Sequence, residues 1–283
     1  MKKASRILCA VGASLMTTNA WSALTLWIDD SDGNIGTVDV ATGTTTVIGN
    51  AGVVLTDIAF DPLGNLFGVS FTNFYSISKA TGAATSIGAL GAGIHAANAL
   101  VFRSDGTLYL ADSITTDLYT VNTGTGAATS LGSTGFSSSG DLAFNGGDLY
   151  LSATTDQLVR IDLNNLASSA AVGSFGVSSV LGLATADNGL LYGVSGAQVF
   201  SVDTSTGAGT LVTNYEGGAL LSAYGSAFFT EAGATVPEPG TLSLVGLAFA
   251  GFFTSRKRGQ PVARRMGRAQ RNPSVRAPAF PLA

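Results

Sequence analysis

The sequence predicts an all-β fold built from about five similar units, and three observations support this. Residues 24–232 show no helical periodicity of apolar residues. One short segment recurs along this stretch about every 40 residues. Short apolar runs are joined by the hairpin dipeptides Asp105-Gly106, Gly146-Gly147 and Asn188-Gly189.

The recurring segment has four clear copies and one degenerate copy. The clear copies are TVDVATGTTTVIG from Thr37, SISKATGAATSIG from Ser76, TVNTGTGAATSLG from Thr120 and SVDTSTGAGTLVT from Ser201. The degenerate copy is RIDLNNLASSAAVG from Arg160. Together with an upstream hairpin, each copy predicts four strands, which we name a, b, c and d. A unit of about 40 residues with four strands is typical of a β-propeller blade.

An aromatic residue marks strand b of each unit. The six positions are Trp27, Phe67, Tyr109, Tyr150, Tyr192 and Phe229. Since side chains alternate along a strand, these six share one face, and we expect them to pack between blades. A belt of aromatics that stacks on a ligand is the alternative.

Counting strands predicts a closed ring over residues 23–232. The chain begins with strands b, c and d and ends with an a–b pair in ALLSAYG and SAFFTEA. The last strand a can complete the first blade and remove exposed sheet edges. Five blades with one spare strand fit best, and six imperfect blades are the alternative.

Residues 1–22 are predicted to be a secretory signal peptide. The apolar h-region spans Ile7–Met16. Cleavage is expected after Ser22, with Ala20 or Ala23 as alternatives. The basic residues of the n-region are Lys2, Lys3 and Arg6.

Charge and cysteine content narrow the function classes. Residues 24–235 carry 17 acidic residues against three basic ones. This acidic stretch would repel the phosphates of DNA and RNA, so we expect no nucleic-acid binding. The only cysteine, Cys9, lies in the predicted signal peptide, so the mature chain is expected to form no disulfide.

The segment 233–259 predicts a membrane anchor that follows a proline-rich linker. Pro237 and Pro239 keep the linker extended. Residues 240–255 are uncharged, enough for about 24 Å of helix at about 1.5 Å per residue. The cluster that follows would stay cytoplasmic by the positive-inside rule and leave the acidic body outside. This cluster consists of Arg256, Lys257 and Arg258.

Val236-Pro237-Glu238-Pro239, the apolar segment and the basic cluster resemble the PEP-CTERM sorting signal of Gram-negative bacteria. The resemblance implies that an exosortase recognises Pro237, Glu238 and Pro239 and processes the chain at the cell envelope. It also implies an exported cell-surface or matrix protein associated with exopolysaccharide. Residues 260–283 extend beyond the usual end of this signal and are predicted to be a basic, disordered tail.

Two aspartates are the main candidates for chemistry in the body. Asp57 and Asp141 occupy the same point at the start of strand a, where some propeller lactonases hold a divalent cation. The matching positions in the other units are Ala99, Gly182 and Leu220. Two carboxylates on non-adjacent blades are a poor cage for a cation that requires six or more oxygens. Exposed aspartates with no catalytic role are therefore the favoured interpretation.

Three other motifs are interpreted as structural. DDSDGN (Asp29–Asn34) resembles a calcium loop, but Ile35 stands where such a loop needs glycine, and no glutamate closes it. It is expected to be the turn between strands b and c, and weak surface calcium binding is the alternative. His95, the only histidine, is expected in a loop. GALGAG (Gly88–Gly93) has no following helix and is a poor phosphate loop. No cofactor is expected.

The sequence thus favours an exported, non-enzymatic propeller with an adhesion or matrix role. A propeller hydrolase of the lactonase kind is one alternative. A polysaccharide-binding module is the other, and it would use exposed aromatics such as Phe71, Phe74 and Tyr75.

Overall fold

The computed structural model of the protein describes residues 24–233. The predicted signal peptide, the membrane segment and the basic tail lie outside this range. The described residues form five four-stranded antiparallel sheets arranged as the blades of a β-propeller. This confirms the predicted fold class and settles the blade number at five.

The strands follow the predicted a–b–c–d order from the channel outwards. Blade 1 contains β1 (Thr25–Asp30), β2 (Asn34–Asp39) and β3 (Thr45–Asn50). Blade 2 contains β4 (Asp57–Phe60), β5 (Leu66–Val69), β6 (Asn73–Ile77) and β7 (Ala84–Ala89). Blade 3 contains β8 (Ala97–Phe102), β9 (Leu108–Asp112), β10 (Asp117–Val121) and β11 (Ala128–Ser133).

Blades 4 and 5 repeat the same order, and the last strand returns to blade 1. Blade 4 contains β12 (Ser138–Asn145), β13 (Asp148–Ala153), β14 (Gln157–Ile161) and β15 (Ala170–Ser174), with a 3-10 turn at Leu166–Ser168. Blade 5 contains β16 (Gly182–Thr185), β17 (Leu191–Ser195), β18 (Gln198–Val202) and β19 (Gly209–Asn214). The innermost strand of blade 1 is β20 (Ala223–Phe228).

Closure of the ring depends on the two ends of the domain. β20 pairs antiparallel with β1, with Trp27 opposite Ala227. The predicted closure by a terminal strand is therefore confirmed, although β20 spans the boundary between the segments predicted as strand a (ALLSAYG) and strand b (SAFFTEA). The predicted spare strand b is wrong, because the chain turns after Phe228 and Phe229 instead packs edge-on against Phe60, with ring centroids 5.2 Å apart.

The ring has two different faces. The a–b hairpins and c–d turns lie on one face, which we call the lower face, and the connections between blades lie on the upper face. Both ends of the described chain lie on the lower face. Leu24 accepts a hydrogen bond from Val40 at the β2–β3 turn, and a Cβ on Gly233 would lie 4.0 Å from the Ser104 side chain in the β8–β9 hairpin.

The aromatic residues of the b strands pack between blades, as predicted. Four of them contact a phenylalanine at the end of the innermost strand of the next blade. The pairs, with centroid distances, are Trp27–Phe60 (5.4 Å), Phe67–Phe102 (5.4 Å), Tyr109–Phe144 (5.7 Å) and Tyr192–Phe228 (5.5 Å). Edge-on and tilted contacts of this kind add to the stability gained from burying the rings.

The Thr-Gly turns of the repeat hold neighbouring blades together. The turn at Thr81-Gly82 packs against Gly49 of blade 1 so closely that a Cβ on Gly49 would overlap the Thr81 carbonyl oxygen. Gly88 meets the turn of blade 3 in the same way, at the Thr125 carbonyl oxygen. Since the obstacle is backbone, neither contact can relax by a side-chain movement. The repeat therefore needs glycine on strand d as well as in the turn.

Gly88→Ala is expected to lower the free energy of unfolding by about 1–3 kcal/mol, because the added methyl forces blades 2 and 3 apart. Chemical denaturation of the full-length chain measures this. The matched control is Gly124→Ala, where a Cβ lies 3.5 Å from the nearest atom, Asn122 Oδ1. The control should change stability by less than about 0.5 kcal/mol. Equal effects of the two variants would contradict the role given to the blade contact.

Candidate site at the channel mouth

Carboxyl groups converge inside the channel near its upper end. Asp57 begins β4 and Asp141 lies in β12, and both side chains are completely buried. The expectation of exposed aspartates is therefore wrong. The five innermost strands approach so closely that residues at their upper ends lie inside a packed channel.

Each of these aspartates joins two blades. Asp57 accepts the backbone amide of Ile58 on Oδ1 at 2.7 Å and that of Leu100, on blade 3, on Oδ2 at 2.5 Å. Asp141 accepts the amide of the next residue at 2.6 Å and that of Leu183, on blade 5, at 2.6 Å. Hydrogen bonds to a carboxylate are stronger than those between neutral groups. The two carboxyl groups thus fasten blade 2 to blade 3 and blade 4 to blade 5.

A third buried acid, Asp29, was not among the sequence candidates. It lies on β1 opposite Gly225, and neither carboxyl oxygen has a hydrogen-bond partner within residues 24–233. A Cβ on Gly225 would overlap Asp57 Oδ1 and lie 2.8 Å from Asp29 Oδ1. The strand register also makes Gly225, not Leu220, the blade 1 equivalent of Asp57. The glycine leaves the space that the two carboxyl groups occupy.

Burial raises the pKa values of these acids, so they stay protonated at a higher pH than an exposed aspartate does. Desolvation raises the pKa of Asp29 to about 7, and the neighbouring Asp30 charge adds to the shift. Desolvation also raises the pKa values of Asp57 and Asp141 well above the ordinary value. The charge of Asp141 adds to the shift of Asp57. The partly buried Glu231 on the lower face also has a raised pKa, through desolvation and then the Asp141 charge.

A cavity of about 540 Å³ opens on the upper face above this carboxyl layer. We call it the mouth pocket. Its residues come from the connections between blades, the upper ends of the innermost strands and the β5–β6 turn. They are Val53, Val54, Thr56, Phe71, Asn98, Ser139, Gly140, Leu181 and Tyr224. The volume lies within the range of roughly 300–1,000 Å³ found for small-molecule sites.

Irregular strand pairing places the polar residues of the mouth pocket. The β8–β9 register shifts at Asn98, the β12–β13 register shifts between Ser138 and Leu142, and the β20–β1 register skips Tyr224. A bulge releases a residue from the ladder and redirects its side chain. Asn98 Oδ1 is buried there without a hydrogen-bond partner in the described part of the chain. It is an unsatisfied acceptor beneath the pocket surface, so a bound hydroxyl group would reach it after the Asn98 side chain turns.

Only one of the three proposed ligand-binding aromatics lies in the mouth pocket. Phe71 lines it and is 57% exposed. Phe74 is completely buried in the core between blades 2 and 3, and Tyr75 is partly buried against blade 1 residues. Sequence reasoning missed Asn98 and Tyr224. Their signal is positional, because each directly precedes the residue equivalent to Asp57.

The remaining sequence candidates have structural roles. Asp30 accepts the amides of Asp32 at 3.0 Å and Asn34 at 2.9 Å, which confirms the turn between β1 and β2. His95 is exposed in the β7–β8 connection, as predicted, and Gly91 and Gly93 lie in the same loop. Among residues 24–233, no three acidic, histidine or cysteine side chains are grouped so that they could hold a metal ion.

The segment that follows the propeller matches a known sorting signal. Residues 235–258 match the model of the PEP-CTERM protein-sorting motif. This motif implies an exported protein that is membrane-anchored while an exosortase processes it. Within the described range 24–233, no helix is long and apolar enough to cross a membrane.

Comparison with known proteins supports the fold alone. A chain of the nidogen/laminin complex matches with a TM-score of 0.51 and 13% identity, over 72% of this chain and 97% of that one. A protein of unknown function from Bacteroides thetaiotaomicron matches with a TM-score of 0.50 and 17% identity, over 74% of this chain and 63% of that one. No curated protein matches this chain.

The carboxyl layer predicts a stability that falls as the pH rises. A carboxyl group whose pKa is raised in the folded state contributes stability that is fully present below its unfolded pKa of about 4. This contribution is lost as the pH rises through the folded pKa. For Asp29 this window runs from about pH 4 to the folded value of about 7. Asp29→Asn removes the titration, so the loss of stability between pH 5 and pH 8 should shrink by roughly 2–3 kcal/mol.

Urea denaturation of the full-length chain at several pH values measures this change. Asp203→Asn is the control, since Asp203 is exposed on a turn and hydrogen bonds from Ser205 lower its pKa. It should leave the slope between pH 5 and pH 8 as in the parent. A variant at position 29 with the parent's slope would contradict the account of the carboxyl layer.

Proposed function

We propose that this exported propeller acts without catalysis in cell-surface adhesion or in the matrix, and that its mouth pocket binds a neutral sugar of exopolysaccharide. The observation that carries the proposal is the exposed Phe71 ring in a pocket that Asn98 also lines, with the buried Asn98 Oδ1 left without a hydrogen-bond partner among residues 24–233. An exposed aromatic face packs against the apolar face of a sugar ring, and a nearby acceptor orients a hydroxyl group.

The charge of the site favours a neutral ligand. Residues 24–233 carry 17 acidic residues against Lys79, Arg103 and Arg160, and none of these three basic residues lines the mouth pocket. A negatively charged group that entered the pocket would meet this field in a low-dielectric environment. A hydroxyl-rich, uncharged ring avoids the repulsion. It also suits the partly buried hydroxyl group of Ser139, which lines the pocket.

The same geometry supports a binding role over a catalytic one. The oxygens of Asp57 and Asp141 each accept a backbone amide, so both carboxyl groups contribute to blade attachment. A catalytic acid must reach its substrate within hydrogen-bond distance. These side chains are completely buried beneath the mouth pocket.

A lactonase-like hydrolase is the second candidate, and the raised pKa values of the carboxyl layer favour it. A carboxyl group that stays protonated near neutral pH is suited to general acid catalysis. Lactone turnover by the full-length chain that Asp141→Asn abolishes would decide for this candidate, and against the binding proposal.

Phe71→Ala is expected to weaken binding of purified exopolysaccharide about tenfold, because the central aromatic contact is lost. Calorimetry on the full-length chain measures the affinity. Leu63→Ala is the control, since Leu63 is 85% exposed and lies in the β4–β5 hairpin on the lower face. The control should bind as the parent does. Unchanged binding by the Phe71 variant would exclude the mouth pocket as the site.

We also expect Pro237, Glu238 and Pro239 to be the element that the exosortase recognises. Glu238→Ala should therefore leave the chain unprocessed and membrane-associated. Mass spectrometry of the protein from cell envelope and medium measures both mature ends. A control substitution in the tail beyond the basic cluster, Gln270→Ala, should leave processing unchanged. Normal processing of the Glu238 variant would contradict the assigned role.

A further inference from the structure

The basic side chains of the described domain are few and are not scattered. Residues 24–233 contain only Lys79, Arg103 and Arg160 as basic residues. Both arginines line one cavity of about 350 Å³ on the lower face, between blades 3 and 4. The cavity opens on the side of the ring opposite to the mouth pocket. We call it the arginine pocket.

Arg160 stands at a position of strand c where the other blades have a small hydroxyl residue, so the fold does not require an arginine there. In every blade the residue at this position of strand c pairs with the marker aromatic of strand b. The other four blades have a hydroxyl residue there, namely Thr37, Ser76, Thr120 and Ser201. Since these blades form with a small hydroxyl side chain, the arginine is not required for pairing. The degenerate c–d turn of the same blade lies beside it, at residues 162–169.

Neither guanidinium is committed to an internal partner. Arg103 Nε lies 3.8 Å from Asp105 Oδ2, and Arg160 Nη1 lies 3.6 Å from Asp148 Oδ2. Both distances exceed that of a hydrogen bond, and both arginine side chains are about half exposed. Exposed pairs of this kind contribute little to stability. Within residues 24–233, the donors of both side chains are available to a ligand.

The acids around the arginine pocket shape its selectivity. Asp162 Oδ1 accepts the amides of Asn164 at 2.9 Å and Asn165 at 3.2 Å, which directs this carboxylate into its own turn. Asp148 stays close to Arg160 and repels a second negative charge. A singly charged, planar carboxylate matches the fork of a guanidinium and meets less repulsion than a phosphate dianion.

We propose that the arginine pocket binds a carboxylate group, with Arg103 and Arg160 as its two cationic contacts. Leu163, which is partly buried, supplies the apolar contact for the carbon skeleton of the ligand. A uronic-acid sugar has this combination of a carboxylate and a ring of suitable size. The inference goes beyond the proposed function, because it concerns a second site with the opposite charge preference.

The test uses galacturonate and inorganic phosphate as probes, with calorimetry or NMR titration of the full-length chain. Galacturonate should bind saturably, more tightly than phosphate, and less tightly as salt is added. Arg160→Ser, which restores the residue type of the other blades, should weaken galacturonate binding about tenfold. Arg103→Asn, the residue that blade 4 has at the equivalent hairpin position (Asn145), should do the same.

The matched control is Lys79→Gln, which removes the third positive charge and gives the same net charge as Arg160→Ser. It should bind galacturonate as the parent does, and thermal unfolding of all three variants shows that they are folded. The affinity for polygalacturonate is compared with that for the monomer, and tighter binding of the polymer would indicate that the ligand is a polysaccharide.

The proposal would be overturned if galacturonate failed to bind, if Arg160→Ser bound it with unchanged affinity, or if phosphate bound as tightly as galacturonate. None of these outcomes bears on the mouth pocket.

Discussion

The pairing of β20 with β1 is the constraint on which the rest of the structure depends. It joins the two ends of the domain in one sheet and thereby closes five blades into a ring. Closure removes the free edges that an open stack of blades would expose at its ends. It also forces five innermost strands around one narrow channel. The burial of carboxyl groups and the shape of the mouth pocket both follow from that crowding.

The buried carboxyl groups that join the blades lie directly below the mouth pocket at the upper end of the channel. Asp57 and Asp141 bridge adjacent blades through backbone amides, and desolvation raises their pKa values, which limits the charge buried in the channel. Directly above, the strand pairing is irregular, and Asn98 and Tyr224 leave the ladder and line the mouth pocket. The layer that joins the blades thus lies beneath the floor of the mouth pocket.

Most of the fold could be predicted from the sequence, because the repeat encodes it locally. The Thr-Gly turns and the aromatic of strand b recur in register, and the structure gives each a contact between blades. The site was less predictable. Asp29 shares the buried face of its strand with Trp27, where the other blades have small or apolar residues, yet its place in an acidic turn motif hid it. Bulges, which place Asn98, leave no reliable pattern in a single sequence.

The account's central claim is that the mouth pocket is the ligand site of an exported binding propeller. The most direct measurement is a crystal structure of the full-length chain with an oligosaccharide cut from the exopolysaccharide of the producing cell. The account predicts a sugar ring packed on Phe71, with a hydroxyl group donating to Asn98 Oδ1. An oligosaccharide bound elsewhere, with the mouth pocket holding only water, would contradict it.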